Sequence, residues 1–172
     1  MSAQYSPAES VQAIAQSLLP TYHPELGTAR ITYLFIDRVP KKGGRELYGK
    51  AVKVSGRWES LTELDFIVEV ALPKWNDLTD DQRTALVDHL LERCSGEEDE
   101  ETGEYIWSLR DPDVQEFSTI LKRHGIWHEG LASFVEVAQG LDIASIVEEE
   151  TGENVVQVEA ESVELDLNED DS

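Results

Sequence analysis

The sequence predicts an α+β domain, a small and mostly antiparallel sheet packed with helices, carrying an acidic tail at its C-terminal end. Three observations lead there. Segments rich in β-branched and aromatic residues fall at 29–38, 47–54 and 64–72. Segments with apolar residues at three-four spacing flank them rather than alternating with them, giving the order helix, three strands, helix, strand, helix, helix. The charge is also concentrated. The net charge is -22, yet residues 147–172 hold eleven Asp or Glu and no Lys or Arg, and residues 97–104 hold six more acids. These seventeen, taken from thirty-six, leave nineteen acids against fourteen Lys and Arg, so the body is only mildly acidic. That shift predicts a domain over residues 1–146 and a tail over 147–172.

Taken in order, Ser6, Pro7, Ala8 and Glu9 have the composition of a capping box with Pro7 at the first helical position. Val11, Ile14, Ala15, Leu18 and Leu19 form the apolar stripe of the helix it opens, which Pro20 is expected to end. The strand at 29–38 is followed by a turn at 40–44, a return strand at 47–54, and the most strand-like segment of all at 64–72, stopped by Pro73. A helix over 79–94 comes next. Thr79 can accept from the first-turn amides and Gln82 can reach back, Asp80 and Asp81 suit the positive N-terminus, and Arg93 suits the negative C-terminus. Ala85, Leu86, His89, Leu90 and Arg93 follow its periodicity, which puts His89 on a face with apolar residues.

Beyond the acidic run, residues 105–109 read as a short strand and 114–122 as a helix closed by His124 and Gly125. A last helix runs from Glu129 to about Ala138. In the tail, Val156, Val158 and Ala160, then Val163, Leu165 and Leu167, alternate with polar residues. Two readings stand: a solvated acidic tail, or a segment that becomes a strand on meeting a sheet edge. Trp58, Trp75, Trp107 and Trp127 are expected to be core anchors, since nothing basic surrounds them as a base-stacking platform would need.

Composition excludes several classes. The single cysteine, Cys94, cannot form an internal disulfide and, with no signal peptide, suits a reducing cytoplasm; it reads as a small apolar side chain at a helix end. No apolar run reaches the length of a membrane span. So acidic a surface is repelled by anionic lipid and by nucleic acid, so neither membrane nor direct nucleic-acid binding is expected. The expected partner is a protein with a basic surface. No Ser-His-Asp elbow, phosphate loop or cysteine cluster is present; His124 and His128, around a turn with Trp127 between them, read as surface or satisfied histidines more than as ligands of a rearranged site, and His23 beside Pro24 is uninformative.

From about residue 31 to residue 127 the chain resembles the phage metallopeptidase domain family. The resemblance rests on the strand Leu64, Asp65, Phe66, Ile67, Val68, on Trp75, and on Leu78 through Arg83. It continues through Ala85 to His89, Asp113 to Phe117, and Arg123 to Trp127. The family implies a zincin-like fold and a zinc site, because its motif Asp-His-Glu-Leu-x-His stands where this chain has Asp88, His89, Leu90, Leu91, Glu92 and Arg93. His89 matches the first zinc ligand. Leu90 replaces the general-base glutamate and Arg93 the second histidine, while Glu116 or Asp113 is the candidate third ligand. A catalytic zinc needs three protein ligands and an open position, and the missing base is worth a factor of roughly 10² to 10⁴. Arg93 either reaches Glu116 or Asp113 in the metal's stead or caps its helix.

The resemblance and the charge together imply a pseudoenzyme in a host-cell cytoplasm. It is expected to act by binding, as an acidic anti-defence inhibitor or nucleic-acid mimic aimed at a host nucleic-acid-binding or defence protein. The acids expected to meet that partner are Glu148, Glu149, Glu150, Glu159, Glu161, Glu164, Asp166, Glu169, Asp170 and Asp171. No cofactor is expected, with zinc only if the site is rearranged. Two alternatives stand beside this: a zinc metallopeptidase with an atypical site of His89, Glu92 and Glu116, and a phage accessory or scaffold protein whose tail solubilises it.

Overall fold

The computed structural model describes residues 2–140. The tail, its alternating segments and its ten candidate partner-binding acids lie outside the described residues. The chain divides after Pro112 into two compact units. The first holds β1 (Tyr5–Pro7), α1 (Glu9–Tyr22), a 3-10 turn (Pro24–Leu26), β2 (Ile31–Ile36), β3 (Lys41–Lys42), β4 (Arg45–Glu46) and β5 (Gly49–Lys53). It continues with α2 (Arg57–Thr62), β6 (Phe66–Ala71), α3 (Leu72–Asp77), α4 (Asp80–Glu92), β7 (Cys94–Glu98) and β8 (Tyr105–Leu109). The second holds α5 (Ser118–His124) and α6 (Glu129–Gln139).

The architecture is α+β, with three small and mostly antiparallel sheets among the described residues. The main sheet runs β1-β2-β6-β5 and its central pair, β2 and β6, is parallel. The return strand β5 therefore lies antiparallel to β6 and not to β2. Between β2 and β5 the chain turns through the β3–β4 hairpin, whose tip residues Gly43 and Gly44 both take positive φ, as a two-residue hairpin of this twist requires. One face of the sheet presents Tyr33, Phe66, Val68, Val70 and Ala51, and these meet Val11, Ala15 and Leu18 of α1 and Val87, Leu90 and Leu91 of α4 in one core.

The start of α1 differs from expectation. Ser6 and Pro7 belong to β1, paired with Phe35 and Leu34, and Ala8 donates to Tyr33 O at 3.0 Å, so no capping box forms at Ser6. Pro7 is harmless there because an edge strand can spare its amide. Pro20 lies inside α1, whose last turn closes with His23 N–H on Leu19 O at 3.1 Å.

Thr79 and Gln82 form the capping box of α4 as expected: Gln82 N–H donates to Thr79 Oγ1 at 3.3 Å, and Thr79 N–H to Gln82 Oε1 at 3.0 Å. The buried seam is Val87, Leu90, Leu91 and then Cys94. It is rotated from the expected face, and His89 is exposed. The reason is burial: the alternative seam removes four apolar side chains from water and no charged one, so it wins over a stripe containing histidine and arginine.

Cys94 to Glu98, expected as helix end and acidic loop, form β7 paired with β8. Gly96 permits this. A Cβ there would lie 2.3 Å from the Trp107 ring, which instead crosses the strand and packs edge-on to Phe66 at 5.7 Å. Trp75 is buried against Phe35, whereas Trp58 and Trp127 are exposed and anchor no core. In the second unit the first helix begins at Ser118, after Phe117, and ends before Gly125 at φ 68°. Among the described residues no helix is long and apolar enough to cross a membrane.

Candidate functional site

On α4 the residues Asp88 to Arg93, where the resemblance implied a zinc motif, divide by their angle around the helix. His89 points outward, and among the described residues its side chain makes no hydrogen bond or ion pair. Leu90, at the position of the general base, is 1% exposed and packs towards β5, where Gly49 leaves room for it: a Cβ on Gly49 would stand 2.9 Å from Leu90 Cδ1. Arg93 pairs with Asp111 at 3.3 Å. Glu92 bonds Arg110 through Oε1.

In the second unit Glu116 accepts from Phe117 N–H at 2.7 Å and from Trp127 Nε1–H at 2.9 Å. Asp113 is exposed and helps line a shallow groove with Val114, Ser133 and Phe134. Among the described residues no three His, Cys, Asp or Glu side chains stand closed around one point as metal ligands do. The residues at the motif therefore do not fit a catalytic zinc: one histidine is on the surface, the base position is apolar and inside the core, and the second ligand position holds a cation already paired with Asp111.

The polar cluster of the first unit lies one residue earlier on α4 and is organised by His23, which the sequence did not single out. His23 caps the end of α1 and is 2% exposed. Its Nε2–H donates to Asp88 Oδ1 at 2.6 Å, while Nδ1 faces Glu92 Oε2 at 3.7 Å and Glu25 Oε1 at 3.9 Å. A chain of groups thus runs Asp88, His23, Glu92, Arg110, tying α1, α4 and the residue after β8. The only sequence signal was the pair of acids at Asp88 and Glu92, one helical turn apart.

Elsewhere in this unit, burial decides the behaviour of two neutral acids. Cys94, next after Arg93, has its thiol pushed up to about 12 by burial, with its sulfur 3.6 Å from Leu90 O. Tyr33 is also raised to about 12, by burial first and by Cys94 nearby second. The acidic run is ordered as the β7–β8 hairpin. Asp99 accepts from Glu101 N–H at 2.8 Å and Thr102 N–H at 3.0 Å, and these backbone donors hold its carboxyl below the usual range. Around that turn Glu97, Glu98, Glu100, Glu101 and Glu104 are exposed.

The family profile described as putative phage metallopeptidase matches residues 3–139, most of the chain. The chain belongs to that family. Among curated proteins and solved structures nothing matches it. The phage metallopeptidase match spans α4 and reaches into the second unit.

Proposed function

We propose that this member of the phage metallopeptidase family works by binding a protein and not by hydrolysis. The observation that carries the reading is Leu90: the position from which a glutamate would activate water is filled by an apolar side chain whose contacts are those of the core. A water-activating base has to face solvent and substrate, and a residue at that angle of α4 faces β5 instead. The partner is a host protein with a basic surface, one that ordinarily meets nucleic acid or serves in defence, in the host cytoplasm. The β7–β8 hairpin supports this choice, because its acids sit on a hydrogen-bonded turn with fixed spacing, as a substitute for a row of phosphates needs. The acids of residues 147–172 add charge of the same sign, which speeds encounter with a basic surface and makes it sensitive to salt.

Two measurements test it. Peptide and casein hydrolysis, with zinc added, is expected to stay at the level of His89→Ala; zinc-dependent cleavage that His89→Ala abolishes overturns the reading. A partner captured from host lysate at low salt is expected to be released by free duplex DNA and by high salt. Capture indifferent to both, and unchanged when Glu97, Glu98, Glu100 and Glu101 are all made Gln and residues 147–172 are deleted, removes the mimicry.

A further inference from the structure

The second unit holds little core of its own. Among its described residues Leu131 alone is buried, and α5 and α6 have seven and eleven residues. Both are shorter than the roughly 12–15 residues at which an isolated helix persists in water, so each needs an apolar face covered. Yet Phe117, Leu121, Ile126, Trp127, Phe134 and Val137 are 37–67% exposed. They leave roughly 700 Å² of apolar side chain in water, close to the roughly 800 Å² that each partner brings to a standard protein interface. A monomer seldom leaves so much bare. On α6 the exposed face also has relief. Leu131 is buried and Val135 and Ala138 half-buried on one side of the helix, while Gly130, Ser133, Phe134 and Val137 follow a three-four spacing on the other. These four, with Asp113 and Val114, line a groove of about 460 Å³. Gly130 and Ser133 are its low part, and the exposed Phe134 stands one turn from Gly130. One helix thus carries a knob and a hole.

We propose that this face of α6 is the interface of a homodimer, covered by α6 of a second copy of the chain. A twofold interface uses the same patch on both sides, which a knob and a hole on one helix satisfy. With the two helices antiparallel, Phe134 of each copy packs over Gly130 and Ser133 of the other, a large side chain entering the groove between small ones. Charge is met as well: Glu136, near the C-terminal end of one α6, comes to the N-terminal end of the other, where the helix dipole is positive. The chain's own residues 147–172 suit the groove less. They carry eleven acids and no Lys or Arg, while the groove holds Asp113 and α6 holds Glu129 and Glu136. A second copy brings cations with its apolar face, Lys122 and Arg123 in the last turn of α5. Dimerisation here uses apolar contacts and none of the β7–β8 acids, so it is independent of the binding reading above.

Sedimentation equilibrium of the full chain, from micromolar to millimolar concentration and at low and high salt, tests this. The expected result is a reversible monomer–dimer equilibrium that tightens with salt, because salt screens the repulsion between two chains of net charge -22 and leaves apolar contacts in place. Capture of a basic partner weakens with salt, so the two associations are told apart by sign. Phe134→Glu is expected to weaken the dimer by roughly a hundredfold or more, since twofold symmetry sets the new charge into one interface twice. Val137→Glu, at a side chain 67% exposed, is expected to act in the same direction with circular dichroism unchanged, and it decides the matter if Phe134→Glu does not fold. Leu61→Glu, at an exposed apolar side chain of α2, is expected to dimerise as the parent does. A chain that stays monomeric at every concentration and salt overturns the proposal, as does a dimer that survives both Phe134→Glu and Val137→Glu. Loss of the dimer in Leu61→Glu alone overturns it too, and moves the interface to the first unit.

Discussion

The two faces of α4 differ in what they do for the protein. One face, Val87, Leu90 and Leu91, is inside the core against the main sheet, continued by Cys94 at the start of β7. The other carries Asp88, His89 and Glu92, of which the outer two converge on the buried His23 while His89 remains alone in solvent. A metallopeptidase helix needs its two histidines to converge on one ion and its glutamate to face the water bound there. Here the three positions point to three different environments. α4 thus divides its side chains between packing on the main sheet and the polar cluster at His23.

The sharpest way to break this comparison is to put a carboxylate on the buried face. Leu90→Glu puts a carboxylate where only apolar groups and Gly49 wait, and is expected to cost on the order of 3–5 kcal/mol or to abolish folding. Urea denaturation of the variant, alone and with Arg93→His, measures this. A folded Leu90→Glu protein of near-parental stability means that the face can open, and the division between the faces fails.

His23→Ala comes next. It removes a buried ring and the 2.6 Å bond to Asp88, with an expected loss of about 2–3 kcal/mol in thermal or urea unfolding. Asp88 is half-exposed and can rehydrate, which keeps the loss below that of Leu90→Glu.

The core face also has a signature at high pH. Burial raises Cys94 from 9.0 and Tyr33 from 10.0, each to about 12. Above pH 9 the unfolded chain releases the thiol proton that the folded chain keeps, and above pH 10 the same holds for the phenol. Each group's contribution is complete below its unfolded value and declines as pH rises to about 12, by up to about 1.4 kcal/mol per pH unit. Urea midpoints at pH 8, 9.5 and 10.5 are expected to fall, less steeply in Cys94→Ala and in Tyr33→Phe. Equal slopes in all three proteins would show that neither group is protected by the fold.

These differences mark what was legible in the sequence. The cap at Thr79 and Gln82 was, because both partners lie within one turn and, unlike at Ser6, no strand pairing claims the capping residue. β2 and β6 were, because β-branched and aromatic residues at such density fit little else. The angle of α4 was not, since three-four spacing fits two adjacent stripes and only the sheet beneath selects one. β7 was hidden by glycine and glutamates, whose strand conformation depends on Trp107 crossing Gly96. His23 was invisible for a simpler reason: its partner Asp88 is 65 residues away, and a histidine before a proline carries no local mark of burial.

The smallest effect is the most informative about the motif. His89 is the residue that the family resemblance would make indispensable, yet in the fold it touches no polar partner among the described residues. His89→Ala is therefore expected to change stability by no more than about 0.5 kcal/mol, the range of an exposed substitution away from any cap or pair. Thr79→Ala, in the same helix, supplies the scale: losing the capping bond to Gln82 is expected to cost about 1 kcal/mol. Both are read from urea midpoints under one set of conditions. If His89→Ala costs more than Thr79→Ala, the outward face of α4 is bound to something in the intact protein, and the surface carrying His89 becomes the first place to look for it.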